Sequence, residues 1–159
     1  MATTEPIKNT EQLRAMTDFF LERRQFRNNA LLVLGVYTAL RISDLLRLKW
    51  TDVYNEKAGA FRKHLTVVEH KTGKKKVVAL NQDASHALNL YLPYRRGDYL
   101  FESKKGGQPI SRTQAWRIIK DAASAVGIDG VISCHSLRKT WGYHAWTSQM
   151  VSPVIIMDI

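Results

Sequence analysis

Apolar positions along the chain recur at helical spacing, shift to an alternating pattern in the middle, and then return to helical spacing. Leu13, Met16 and Phe20 share one face of a helix, with Thr10 placed to cap its first turn. From about Phe26 to Leu40 nearly every side is apolar, which at that length predicts a helix buried in the core. Ser43 is positioned to cap the next helix, with Asp44 in its first turn, so Arg41 falls at the junction of two helices. The texture then changes. Leu65-Thr66-Val67-Val68 and Val77-Val78-Ala79-Leu80 flank Lys71-Thr72-Gly73-Lys74, a pattern that predicts a β-hairpin with a basic tip, joined by an earlier strand over Ala60 to Lys63. Asn81 caps a helix with Ala84, Ala87, Leu88 and Tyr91 on one face, stopped near Pro93. Ser111 and Gln114 open a further helix through Trp116, Ile119, Ala123 and Val126, closed by Gly127. The last long helix is expected from Ser136 to Gln149, buried through Leu137, Trp141 and Ala145, and Ser152-Pro153 starts one more.

Composition narrows the picture. A chain of 159 residues, 45% hydrophobic, suits one domain with a single core. The apolar run near residues 30–40 is too short to span a bilayer, and Met-Ala-Thr-Thr-Glu-Pro has neither the basic nor the apolar stretch of a secretory signal. Cys134 is the sole cysteine, which excludes an internal disulfide and fits a reducing, cytoplasmic setting. The formal charge is +10, from 24 Lys and Arg against 14 Asp and Glu, and such a surface draws in polyanions, nucleic acid first among them.

Three separated places supply candidate chemistry: Arg41 at the helix junction, Lys71 at the hairpin tip, and His135 with Arg138 at a helix start. Residues three apart in a first helical turn project to the same side, where free backbone amides also point, so His135 and Arg138 suit an anion. Lys74, Lys76, Arg112 and Lys139 are candidate contacts to a DNA backbone, with solvated surface charge the alternative for each. Other candidates read as structural. Tyr143 lies five residues beyond Arg138 and is turned from its face; His144 and Cys134 suit packing; His64, His70 and His86 lack metal-ligand spacing; and Gly73-Lys74 lacks the remainder of a P-loop.

Leu40-Arg41-Ile42-Ser43-Asp44-Leu45-Leu46-Arg47-Leu48 with Trp50-Thr51-Asp52-Val53 resembles the first signature box of the tyrosine recombinases, the phage-integrase kind. Cys134-His135-Ser136-Leu137-Arg138-Lys139-Thr140 resembles their His-x-x-Arg box, and Lys71 sits in the hairpin where that family keeps its catalytic lysine. The resemblance implies a mainly helical α+β fold with a small antiparallel sheet at one edge. It implies that residues 1–159 form a single catalytic domain, without the amino-terminal core-binding domain and without the carboxy-terminal segment that bears the nucleophilic tyrosine.

It also implies site-specific DNA recombination through a 3′-phosphotyrosyl intermediate. Arg41 and Arg138 would clamp the non-bridging oxygens, Lys71 would protonate the leaving 5′-oxygen, and His135 would assist proton transfer or steady the phosphate. The phosphotyrosyl bond keeps the energy of the broken linkage, so no metal or other cofactor is called for. The implied partner is double-stranded DNA, with self-assembly to a tetramer on it and no membrane, in a bacterial nucleoid or from a phage or mobile element. The alternative is a non-catalytic relative that occupies and regulates recombination sites.

Overall fold

The computed structural model describes residues 3–147, with side chains through residue 144. Helix α1, Thr10–Glu22, is capped by Asn9, whose Oδ1 accepts from the Glu11 amide at 2.7 Å. Thr10, expected as the cap, is instead the first helical residue, because the extended Asn9 places a stronger capping side chain one position earlier. Helix α2, Phe26–Thr38, is buried on almost every side and packs against α1 and two later helices. It ends in Ala39 at φ 56, a left-handed conformation that costs a β-carbon-bearing residue roughly 1–2 kcal/mol.

The chain then turns directly into helix α3, Ile42–Leu46. Arg41, not Ser43, takes the cap position, and its carbonyl accepts from the amides of Asp44 and Leu45. A short helix α4, Trp50–Val53, leads into strand β1, Tyr54–Asn55, paired antiparallel with β2, Ala60–Phe61. The strand expected near Ala60 to Lys63 is therefore real only in part, and it pairs with β1 rather than joining the hairpin. The hairpin itself pairs β3, His64–Val68, with β4, Lys75–Ala79, in the register Leu65 to Val78 and Val67 to Lys76. Alternation buries Leu65 and Val67 against the helices and leaves Thr66 and Val68 outward. The fold is α+β and mainly helical, with two small antiparallel ribbons where one sheet was expected.

Helix α5, Gln82–Tyr91, starts at Asn81, whose Oδ1 accepts from the Ala84 amide at 2.9 Å, and runs into a 3-10 turn, Leu92–Tyr94, that contains Pro93. Helix α6, Arg112–Ala125, starts at Ser111, whose Oγ accepts from the Gln114 amide at 3.0 Å. Its inner face is Ala115, Ile119, Ala122 and Ala123; Trp116 lies off that face and is 41% exposed.

Helix α7, Cys134–Thr147, begins two residues earlier than expected. Leu137 is buried with Ser136 and Thr140, while Trp141 is only half-buried. The side chain of Ala145 and the helix expected from Ser152-Pro153 lie outside the described residues. A β-carbon added at Gly35 would fall 2.5 Å from Leu137 Cδ1, so the missing side chain is what lets α7 settle on α2 at this point.

The residues ahead of α1 run across α7 as a strap. Lys139 Nζ donates to the Thr4 carbonyl at 2.6 Å, the Ile7 amide donates to Thr140 Oγ1 at 2.9 Å, and His144 Nε2 lies 3.0 Å from the Ile7 carbonyl. Ile7 is itself fully buried. Among the described residues no helix is long and apolar enough to cross a membrane.

Candidate active site

A cleft of about 780 Å³ opens where the α2–α3 junction, the hairpin turn, the outer side of α6 and the start of α7 meet. Arg41, Lys71, His135 and Arg138 all line it, as do Arg112 and Trp116. Residues separated by almost a hundred positions thus share one basic cavity, and the reasons are local.

Arg138 comes from the first turns of α7, a helix held against α2 by the fit of Leu137 over Gly35. Its Nε donates to the Ala39 carbonyl at 2.8 Å. The left-handed turn at Ala39 is therefore the feature that aims this carbonyl at the guanidinium. Burial lowers the affinity of Arg138 for its proton and the neighbouring Arg41 lowers it further, while Glu69 and Asp44 oppose both. Two guanidinium groups in each other's field form a site that gains from an anion.

Arg41 projects from the cap position of α3 and is ion-paired with Glu69. That carboxylate is only 5% exposed, and its other contacts are Thr72 Oγ1 at 3.2 Å and Lys76 Nζ at 3.7 Å. Burial alone would push the Glu69 carboxyl up, but Lys76, the Thr72 hydroxyl, Arg41 and Arg138 together hold it below the usual carboxylate value. Lys76 is lowered mainly by burial and also by Arg138 and Arg41, against the pull of Glu69.

The hairpin turn has a second anchor. Asp44, buried in α3, accepts from the His70 amide at 3.0 Å. Arg41 and Asp44, one helical turn apart, thus grip the turn that bears Lys71 from the same helix. Sequence reading gave Asp44 only a role at the helix dipole and gave Glu69 none. The signals available were the three-residue spacing from Arg41 to Asp44 and an acid two residues before Lys71 in an otherwise basic turn.

His135 is lowered first by burial and then by the positive charge of Lys139 and Arg138, which favours a neutral ring able to take a proton near pH 7. Burial pushes the neighbouring Cys134 thiol up to about 11, which keeps it protonated.

The expected backbone-contact residues divide. Arg112 is in the cleft and Lys74 is exposed beside the turn, but Lys76 is tucked against Glu69, and Lys139 is directed to the strap carbonyl of Thr4. Tyr143 is half-buried, with Lys8 5.6 Å from its ring centre and His144 edge-on at 5.2 Å. None of the chain's six tyrosines, all within the described residues, lines the cleft. Trp116, placed only as a helix residue by the sequence, is exposed and lines the cleft, with Lys120 Nζ 4.6 Å from its ring centre.

The sequence model of the Phage integrase family matches residues 8–157. A probable integrase/recombinase of Bacillus subtilis (strain 168), YoeC, is 36% identical over 145 residues, covering 91% of this chain and 76% of that protein. The tyrosine recombinase XerD of Mycobacterium tuberculosis (strain CDC 1551 / Oshkosh) is 32% identical over 127 residues, covering 74% of this chain and 39% of that one. The chain thus spans three quarters of one curated relative and well under half of the other. Among solved structures, a lambda integrase (75-356) dimer bound to a COC′ core site superposes with a TM-score of 0.75 at 18% identity, covering 99% of this chain and 57% of that one.

Proposed function

The chain belongs to the phage integrase family, and from that premise we propose that residues 1–159 form the catalytic domain of a tyrosine-type site-specific DNA recombinase or integrase. The observation that carries this reading is the meeting of Arg41, Lys71, His135 and Arg138 in one cleft. A phosphodiester attacked by a phenolic oxygen gathers negative charge on its two non-bridging oxygens, and paired planar guanidinium groups match that charge better than ammonium groups do.

In this reading Arg41 and Arg138 hold the phosphate. The tyrosine oxygen forms its bond to phosphorus as the bond to O5′ breaks. The Lys71 ammonium gives its proton to the departing O5′, and the tyrosine's own proton passes to the neutral ring of His135. The phosphotyrosyl linkage left on the 3′ end stores the energy for rejoining, so the step consumes no cofactor. The substrate is double-stranded DNA, and recombination of two duplexes calls for self-assembly to a tetramer on them. Arg112 and Lys74 serve the DNA backbone from the cleft rim.

No tyrosine lines the cleft, so in this proposal the nucleophile is brought in by residues outside this segment or by a second protomer, and the segment alone does not cleave. The same observation favours a second reading, a non-catalytic family member that occupies recombination sites. Incubating the complete protein that bears this chain with nicked suicide DNA decides between them. A covalent protein–DNA adduct supports the enzyme; DNA binding without any adduct supports the regulator.

A further inference from the structure

Glu69 is an anomaly behind the cleft: a nearly buried carboxylate that is not among the lining residues, yet is ion-paired with Arg41, which is. Its two oxygens reach two different parts of the site. One accepts from the Thr72 hydroxyl at 3.2 Å, within the turn that carries Lys71; the other is ion-paired with Arg41 and lies 3.7 Å from Lys76 on β4. Its backbone also closes the turn, donating to the Lys74 carbonyl and accepting from the Gly73 amide, each at 2.8 Å. Lys71 itself is exposed, so the turn's shape depends on these ties and on the Asp44 contact to the His70 amide, not on burial of the lysine.

We infer that Glu69 is a positioning residue, which couples the Lys71 turn to the Arg41 guanidinium so that the proton donor and the phosphate clamp are set in register with each other. The inference rests on the reading of Lys71 as the proton donor. In the cleavage step the tyrosine–phosphorus bond forms, the phosphorus–O5′ bond breaks, and the Lys71 proton moves to O5′. Proton delivery needs the ammonium within about 3 Å of that oxygen, so a turn free to drift loses the transfer even though its lysine is intact. The depressed value of the Glu69 carboxyl agrees, since it keeps the tie ionised across the neutral range.

Sulfur chemistry provides the test. When the bridging O5′ is replaced by sulfur, the leaving thiolate departs without a proton, so defects in proton delivery vanish on that substrate and defects in phosphate binding do not. The complete protein is assayed for single-turnover cleavage of matched oxygen and sulfur suicide substrates, with DNA affinity measured alongside. Glu69→Ala is expected to slow cleavage of the oxygen substrate by about tenfold or more, against the 10²- to 10⁴-fold that general acid catalysis typically contributes, and to recover to within about threefold of the parent on the sulfur substrate. Lys71→Ala behaves likewise, and adding Glu69→Ala to it costs nothing further on the oxygen substrate.

Equal losses on both substrates, or no loss at all, overturn the inference. Failure of Lys71→Ala to be rescued by sulfur overturns the proton-donor assignment instead, so the two failures are told apart. Should Glu69→Ala not fold, Glu69→Gln and Thr72→Val carry the same comparison. The first removes the charge facing Arg41 and Lys76, the second the Thr72 hydroxyl that bonds Glu69 and the Lys74 amide, and each is expected to give a smaller loss that sulfur rescues.

Discussion

The two halves of the cleft are built in opposite ways. Arg138 stands on a helix seated in the core, with Leu137 buried on α2 and a backbone carbonyl taking its Nε. Lys71 stands on a six-residue connection, residues 69–74, exposed apart from Glu69 and held by polar side chains from α3 and the turn and by the turn's own backbone hydrogen bonds. A hydrophobic seat is non-directional and hard to deform, whereas polar ties between part-exposed groups are worth little each and open readily. Under the proposed roles, Arg138 of the phosphate clamp is thus set on a rigid support, while the proposed proton donor, Lys71, is presented from a segment held by weaker ties.

The strongest way to break this contrast is to remove a guanidinium. Arg138→Ala and Arg41→Ala are each expected to lower covalent adduct formation by about 10²–10³-fold, the scale of losing one donor to a developing oxyanion, with the helical circular dichroism signal retained. Full activity in either would take that residue out of the site. Lys71→Ala is expected to cost about 10²-fold in the same assay and to leave DNA affinity nearly unchanged.

Gly35→Val sharpens the comparison from the core side. Its new methyls meet Leu137, so unfolding is expected to become easier by about 1–3 kcal/mol in denaturant melts, with the hairpin amides exchanging as before.

Weaker effects should appear with pH. The folded Glu69 carboxyl is held below its ordinary value of 4.5, so it contributes stability that is complete above that value and disappears as pH falls through the folded one. Hydrogen-exchange protection of the hairpin turn, taken relative to the intrinsic rate at each pH, should therefore fall in acid before that of α7, and the difference should vanish in Glu69→Gln. Smallest of all, Lys139→Met should move the His135 titration upward toward 6.5, read by NMR, since Lys139 is the largest charge effect on that ring.

Much of this organisation is legible in the order of residues, and the exceptions have a common cause. Helical periods and capping side chains such as Asn81 and Ser111 act within one turn of chain, so the helices they start are visible locally. The ribbon of residues 54–55 with 60–61 is too short to carry an alternating pattern, which is why its pairing partner was misassigned. The site basics stand out because cations at a junction, a turn and a helix start are conspicuous. The acids that arrange them are not. Asp44 and Glu69 act through partners 26 and 28 residues away, and Lys139 through one 135 residues away, distances at which nothing in the local string betrays a contact.

The strap at residues 4–8 makes the front of the chain a working part of the helix that bears His135 and Arg138. It supplies backbone partners to Lys139, Thr140 and His144 along successive turns of α7 and seats Ile7 beneath them. A pull on residues 4–8 would load α7 through these contacts, so the segment acts as a tendon of that helix.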